Sequence, residues 1–527
     1  MTMEQMGRKK IYTDITEIMS ANQVFKVLED SLPYHYANVA DMKLLLSYEK
    51  GNQPILNREK NIRKDVNNKI VDNVANQITE FKLGYNWGNP ITLSQRGSKD
   101  LNNSNSDKDD NAVGMLNEML DDEGCFSKDQ DLARYIEIVG IGYRYVDMKH
   151  DYDGGSVFDL YTLNPLHTFV VYANDVTQRP VLGVMYRTTK DGQTLYTCFT
   201  DELRYEVKLS PRMINGNPTE KLYFTERSRS GEMNPWGMIP IIEYIRSYDR
   251  MGCFERQLSD MNALNVLVSD FSNQVTQTTQ TLWWANDIQF PKDDEGNVQQ
   301  PESGDWISTE TPPHGDANGK KPNIKPMSVQ FDYSGITNDI KRRRDTILQK
   351  CDVPLRSEPG GGSTGSAMSM SSGWSAAEVA ACKESQIIRQ ARMRELRLIL
   401  RIINKSGDLD ANNPLRDLKI SDIEPQFKRN KTYDMITKVN AYATLINNMV
   451  DGRDALKVID LFSDPQQVWN DSKKRIEDYQ DSKIKNDAPN TLEPQEEGTD
   501  KFTEDIKKNL DDQDLSDQAS NSPVIGK

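Results

Sequence analysis

Apolar residues recur along this chain in two different periods, and each predicts its own kind of element. Ile70, Val74 and Ile78 stand at four-residue steps with Val71 beside them, which predicts a helix over about 65 to 82. The first segment, to about residue 40, reads as helical and peripheral, and two shorter helices are expected near 113 to 120 and 128 to 138. From Tyr143 the period becomes two, with Tyr143, Tyr145 and Asp147 alternating with Arg144 and Val146. Strands are expected at Val157 to Thr162, Phe169 to Tyr172, Val181 to Thr188, Thr194 to Thr200, Glu202 to Leu209 and Lys221 to Thr225. Their turns come about every 8 to 12 residues, as in a sandwich or rolled sheet.

The helical period then returns and is sustained. Met261, Leu264, Val268, Phe271, Val275, Thr278 and Leu282 repeat in steps of three and four, which predicts one helix from about 253 to 285 packed lengthwise on others. Ile336, Ile340 and Ile347 predict another over about 333 to 351. At 100° per residue Lys341 and Arg342 fall opposite that stripe, while Arg343 lies close to it. Leu396, Ile399, Leu400 and Ile403 close a third helix, opened by a capping box at Ser375 and Glu378. With no Gly or Pro inside, its roughly 29 residues would span about 43 Å. A strand at 419 to 427 and helices near 432 to 449, 452 to 461 and 465 to 480 complete the pattern.

Between these elements lie the breaks. Turns fall at Tyr48 to Ile55, Gly84 to Ile91, Asp151 to Gly155 and Asn234 to Pro240, and residues 95 to 112 read as an exposed loop. Residues 286 to 330 carry six prolines and read as a small module inserted between two helices, with short strands at Asp287 to Phe290 and Asp305 to Ser308. Pro354 stops the helix before it, and Gly360-Gly361-Gly362-Ser363-Thr364-Gly365-Ser366 is a loop that glycine makes pliable. Its glycine spacing is that of a phosphate cradle, but Ser366 stands where the lysine must be, so nucleotide binding is not expected. A plain glycine-serine linker would explain the glycines but not Met368 and Met370 or the long helix that follows. Beyond Ile484 the chain is acidic and proline-broken, and disorder is expected there.

Composition narrows the function. The net charge of -15 argues against general affinity for nucleic acid, which needs a basic excess to displace counterions. Cys125, Cys198, Cys253, Cys351 and Cys382 are far apart, as reduced thiols would be, and offer no zinc motif. His35, His150, His167 and His314 are scattered and read as surface or strand residues. No Ser-His-Asp, Cys-His or metal constellation appears, and paired carboxylates such as Asp109-Asp110 sit in solvated loops, so neither enzyme activity nor a cofactor is expected. Met1 to Gln5 lacks the apolar core of a signal peptide, and no apolar run approaches the ~20 residues that span a bilayer.

The order of elements resembles the portal proteins of tailed bacteriophages, in the branch typified by Bacillus siphophages. The likeness is carried by Asn67-Asn68-Lys69-Ile70-Val71, Gly84-Tyr85 through Pro90-Ile91, Gly140 to Val146, Leu163-Asn164-Pro165, Asn234 to Pro240, Ser363 to Ala367 and Phe427-Lys428-Arg429-Asn430. Each is a turn signature, and their order over some 400 residues makes the resemblance. It implies an α+β portal fold. Residues 1–40 would be an N-terminal peripheral segment, and 41–252 an α/β wing, β-rich over 143–225. The two-helix stem would take 253–285 and 331–352, around a clip at 286–330. A tunnel loop at 353–372, a long wing helix at 373–404, a helical crown at 405–483 and a disordered acidic tail at 484–527 would follow.

The same resemblance implies a ring, a dodecamer, at one vertex of the virion capsid around a channel for packaging and ejecting double-stranded DNA. Its partners would be other copies of the chain, the duplex, the terminase large subunit, the major capsid and scaffolding proteins, and a head-completion or adaptor protein, with host cytoplasm as the place of assembly and no membrane. Candidate docking residues in the clip are Trp306, Lys320 and Lys321, and the tunnel loop would be Gly360, Gly361, Gly362, Ser363, Thr364 and Gly365. A ring that passes DNA must not grip it, and an acidic chain leaves only local basic spots to touch phosphate. Lys341 and Arg342 are candidates for such a spot, and Met368 and Met370 for soft uncharged contacts. A smaller ring-forming head-tail adaptor and a hydrolase or nuclease hidden in the β-region are the alternative readings.

Overall fold

The N-terminal segment is threaded into the body rather than laid on its surface. Arg8 is buried against Glu255, with which it forms an ion pair, and donates to the Val139 carbonyl at 3.2 Å. Strand β1 (Ile11–Thr13) follows, and then helix α1 (Ala21–Glu49), which Ser20 opens with its N–H bonded to the Gln23 side chain at 3.1 Å. Val24, Val27, Leu28 and Leu32 on α1 face one core, and Val39, Met42 and Leu45 face another. The expected peripheral segment is thus a core element, because its apolar positions recur at helical spacing over all 29 residues of the helix. The computed structural model describes residues 7–61, 64–96, 106–152, 154–214, 217–225, 230–279, 282–286, 323–327, 333–355, 373–429, 435–459, 462, 468–469 and 472.

Next come α2 (Val74–Asn86), β2 (Thr92–Gln95), α3 (Ser106–Asp122) and α4 (Cys125–Val139). The β-region holds β3 (Ile141–Met148), β4 (Phe158–Leu163), β5 (Thr168–Ala173), β6 (Pro180–Thr188), β7 (Thr194–Phe199), β8 (Leu203–Ile214), β9 (Asn217–Phe224), β10 (Glu232–Met233) and β11 (Ile241–Ile245). Strands β5 to β8 form an antiparallel meander, extended by β9 and β10 on β8 and by β1, which runs parallel to β5. Helix α1 covers this sheet over Phe169, Val171, Leu182, Val184 and Tyr196.

A second sheet, in the order β11-β3-β4, is a wall between the other two cores. Successive side chains on a strand point to opposite faces. On β11, accordingly, Ile241 joins one core, and Ile242 and Tyr244 join the other. The turn into β3 requires glycine: Gly140 closes α4 at φ 82, and a Cβ there would stand 2.4 Å from the Arg250 carbonyl oxygen.

The C-terminal half is helical. Helix α5 (Leu258–Thr279) is followed by β12 (Leu282–Asn286), which pairs antiparallel with β13 (Asn323–Met327). Then come α6 (Tyr333–Lys350), α7 (Trp374–Lys405) and β14 (Ile423–Gln426), the last paired with β2. The chain divides into two units, 1–431 and 432–527. Within the second, α8 (Met435–Asn447) and α9 (Gly452–Ile459) are joined by a turn in which Val450 N–H bonds the Leu445 carbonyl at 3.1 Å.

Several expectations are corrected. The helix foreseen over 253 to 285 stops at Thr279, because β-branched threonines and then Leu282-Trp283-Trp284 favour an extended chain, and β13 supplies the partner. The exposed loop foreseen over 95 to 112 contains the start of α3, with Ala112 buried. The capping box of Ser375 and Glu378 does not form: α7 is capped two residues earlier, by Gly373 at φ 87, and Glu378 accepts the Tyr85 hydroxyl instead. The strand foreseen over 419 to 427 is confined to β14, after a turn of 3-10 helix at Ile420–Asp422. Strands foreseen at Asp287 to Phe290 and Asp305 to Ser308, and most of the helix foreseen at 465 to 480, lie outside the described residues.

Candidate functional site

Helices α5 and α6 form an antiparallel pair. At one end Lys350 Nζ meets Asp260 Oδ2 at 2.6 Å, and at the other the rings of Phe271 and Tyr333 meet edge-on with centroids 6.1 Å apart. The end near Asp260 is rooted in the core through Leu258, Met261, Leu264, Ile347 and Leu348. The far end leads into the β12–β13 hairpin. Along the outer part of α5 the usual burial is inverted. Ser269 and Asn273 are buried, while Val266 and Val275 are exposed.

The buried polar residues of α5 hold an extended strap. Asn265 Oδ1, Ser269 Oγ and Asn273 Oδ1 accept the backbone N–H groups of Asp72, Ile70 and Asn68 at 2.9, 3.0 and 2.6 Å. Asn68 Nδ2 also donates to Ser272 Oγ and Thr276 Oγ1, both at 3.1 Å. The spacing makes this possible: four helical residues rise about 6 Å and two extended residues about 6.6 Å, so every fourth residue of α5 meets every second one of the strap. This ladder overturns the helix foreseen over 65 to 82, since the N–H groups of Asn68, Ile70 and Asp72 are spent on α5 and the helix begins at Val74. The sequence signal for it is a second, polar stripe on α5, at 265, 269, 272, 273 and 276.

Helix α6 carries a basic run, with Lys341 and Arg342 on its outer face and Arg343 and Arg344 to either side. Lys341, Arg342, Arg343 and Arg344 are all exposed, including Arg343, which was expected beside the apolar stripe. Arg342 Nη2 and Arg343 Nε both donate to the Asp339 carboxylate, at 2.6 and 2.8 Å. These bonds hold Asp339 below the usual carboxylate range. Arg344 turns toward the body, with Nη2 on Gln77 Oε1 at 2.9 Å and Nη1 3.5 Å from Asp72. Lys341 has no polar partner among the described residues. Of the residues foreseen as functional, only Lys341 and Arg342 fall in described positions, and they are neighbours on this face. Trp306, Lys320, Lys321, Gly360, Gly361, Gly362, Ser363, Thr364, Gly365, Met368 and Met370 lie outside the described residues, as does His314.

Helix α7 is locked to the body by buried charge. Arg144 on β3 pairs with Asp129 on α4. Arg392 on α7 reaches Asp129 at 3.1 Å and Glu395 at 2.7 Å, and Glu395 accepts the Tyr244 hydroxyl. Two arginines and two carboxylates balance, which keeps a buried network tolerable. Nearby, Arg246 Nε donates to Glu137 at 3.1 Å and Arg246 Nη2 lies 3.7 Å from Glu384. Burial, and then the Glu137 charge, push Glu384 well above the carboxylate range. Burial also opposes ionisation of Glu137, but Arg246 and the hydrogen bond from Glu384 outweigh it and hold it low.

In the β-region the buried carboxylate is likewise paired off. Glu243 accepts from Tyr143 at 3.1 Å, Tyr172 at 2.6 Å and Arg250 at 2.6 Å. His35, expected on the surface or in a strand, is buried in α1, stacked on Phe169 and 3.2 Å from the Tyr186 hydroxyl; burial lowers its pKa to about 4. An open pocket of about 280 Å³ is lined by Asp147, His150, Trp236 and Lys405. Its charged groups are engaged, Asp147 by the Tyr145 hydroxyl at 2.6 Å and Lys405 by the Pro235 carbonyl. Among the described residues no group of three or more His, Cys, Asp or Glu could hold a metal ion, and no helix is long and apolar enough to cross a membrane.

Residues 30–482 match the family described as phage portal protein, SPP1 Gp6-like. No curated protein matches the chain. Portal proteins are structural proteins of the phage, ring-forming and placed at the capsid vertex, and their family role is genome packaging. With the match covering most of its length, the chain belongs to the phage portal proteins of the SPP1 Gp6-like family.

Proposed function

We propose that α5 and α6 are the stem of a portal ring, a dodecamer, and that the basic face of α6 borders its DNA channel. The antiparallel pair, rooted at one end and capped by a hairpin at the other, carries this reading. The exposed Val275, in line with Leu264 on α5, offers the stem of a neighbouring copy an apolar contact. On the same reading, residues 41–252 with α7 are the wing and 286–330 the clip that docks the terminase large subunit and later a head-completion protein. Residues 353–372, with Met368 and Met370, are the tunnel loop, and 405–483 the crown. Major capsid and scaffolding proteins meet the ring as it assembles in the host cytoplasm. The cluster around Glu243 favours this structural role over a hidden hydrolase, because that carboxylate is already engaged by Tyr143, Tyr172 and Arg250.

Particle imaging of the purified full-length protein tests the reading. Rings of twelve subunits with an axial hole are expected. Compact monomers would overturn it, and closed rings of another number would correct the subunit count alone.

A further inference from the structure

Among the described residues, Asp339 is the carboxylate that the exposed Arg342 and Arg343 of α6 share. It binds Arg342 at i+3 and Arg343 at i+4, folding both side chains back along their own helix. Arg344 is held by Gln77 and Asp72 on the body side. Of the four consecutive cations, Lys341 alone has no polar partner among the described residues. We propose that Asp339 tunes how strongly the channel wall grips DNA, by occupying Arg342 and Arg343 so that a passing duplex meets Lys341 as the unengaged cation. The inference rests on the reading of α6 as channel wall.

The physical reason lies in what a free arginine would do. A guanidinium offers its N–H groups to a phosphate as a rigid fork, and an arginine-phosphate bond is stronger and more directional than a lysine's. Each phosphate so neutralised releases counterions and steepens the salt dependence of binding by close to one unit of log-log slope, a slope of about -0.9 per contact. A ring repeats each contact in every subunit, so two extra arginines per chain would turn a surface that slides into one that holds. Asp339 cancels one of those charges and engages an N–H group of each arginine. Lysine, a flexible point charge, is the better residue to leave in contact with a moving backbone.

The test is DNA packaged per procapsid in a fixed time, at low and high salt, with rings of full-length variants whose assembly is followed by sedimentation. Asp339→Asn should reduce the packaged length at least twofold at low salt and recover at high salt. Adding Arg342→Gln and Arg343→Gln to Asp339→Asn should restore packaging at low salt. Wild-type packaging by Asp339→Asn at both salts would overturn the inference, as would a defect that neither salt nor arginine removal relieves, or a failure to form rings. Lys341→Asp with Arg342→Asp separates the two levels. If that variant alters packaging while Asp339→Asn does not, the role of Asp339 fails and the channel wall stands. If neither alters it, the channel reading has failed as well.

Discussion

Burial beside Glu137 pushes the pKa of Glu384 up, and that sets how one clamp on α7 responds to pH. Its folded pKa lies above the ordinary 4.5, so the folded chain binds the extra proton. The stability this contributes is complete below pH 4.5 and is lost as pH rises through the folded value, at up to about 1.4 kcal/mol per pH unit for one proton. Glu137 is shifted downward, so its contribution is present above pH 4.5 and is lost as pH falls through its own folded value. Glu384→Gln should remove this titration and flatten the alkaline limb of a stability-pH profile followed by thermal melting. An unchanged alkaline limb would show that Glu384 is already ionised. None of this was legible in the sequence, because Glu137 and Glu384 are 247 positions apart and neither belongs to a motif. Gly140 was legible as a turn residue, since its conformation is a local demand that only glycine meets without strain.

At the scale of elements, legibility followed the reach of the contacts. The period-two pattern after Tyr143 located β3 to β8 because burial on one face of a sheet imposes alternation within the strand itself, whereas β1, β10 and β11 were not foreseen. The strap before α2 was misread for the opposite reason. Ile70, Val74 and Ile78 keep a helical spacing, yet the backbone of Asn68, Ile70 and Asp72 is bonded to side chains 193 to 205 positions later. Asn273→Ala should leave the Asn68 N–H without its acceptor and cost about 1–3 kcal/mol, as losing the partner of a buried donor does. Amide exchange checks it: Asn68, Ile70 and Asp72 should lose protection while the sheet strands keep theirs. Undiminished protection at all three amides would mean that the ladder does not hold the strap.

For the whole molecule, the α+β class and the order of long helices could be read from period alone, and the family from turn signatures spread along the chain. What period could not supply was the pairing of α5 with α6 and the closure of Arg342 and Arg343 onto Asp339, since both depend on where separate turns of helix come to rest. The central claim is that α6 turns its basic face to DNA. It is tested most directly by placing a photo-crosslinking residue at position 341, in portal rings of procapsids stalled part-way through packaging. The same residue at position 275, on the apolar face of α5, serves as the control. The account predicts crosslinks to DNA from position 341, and crosslinks to a neighbouring portal chain rather than to DNA from position 275. DNA crosslinks from 275 with none from 341 would contradict it.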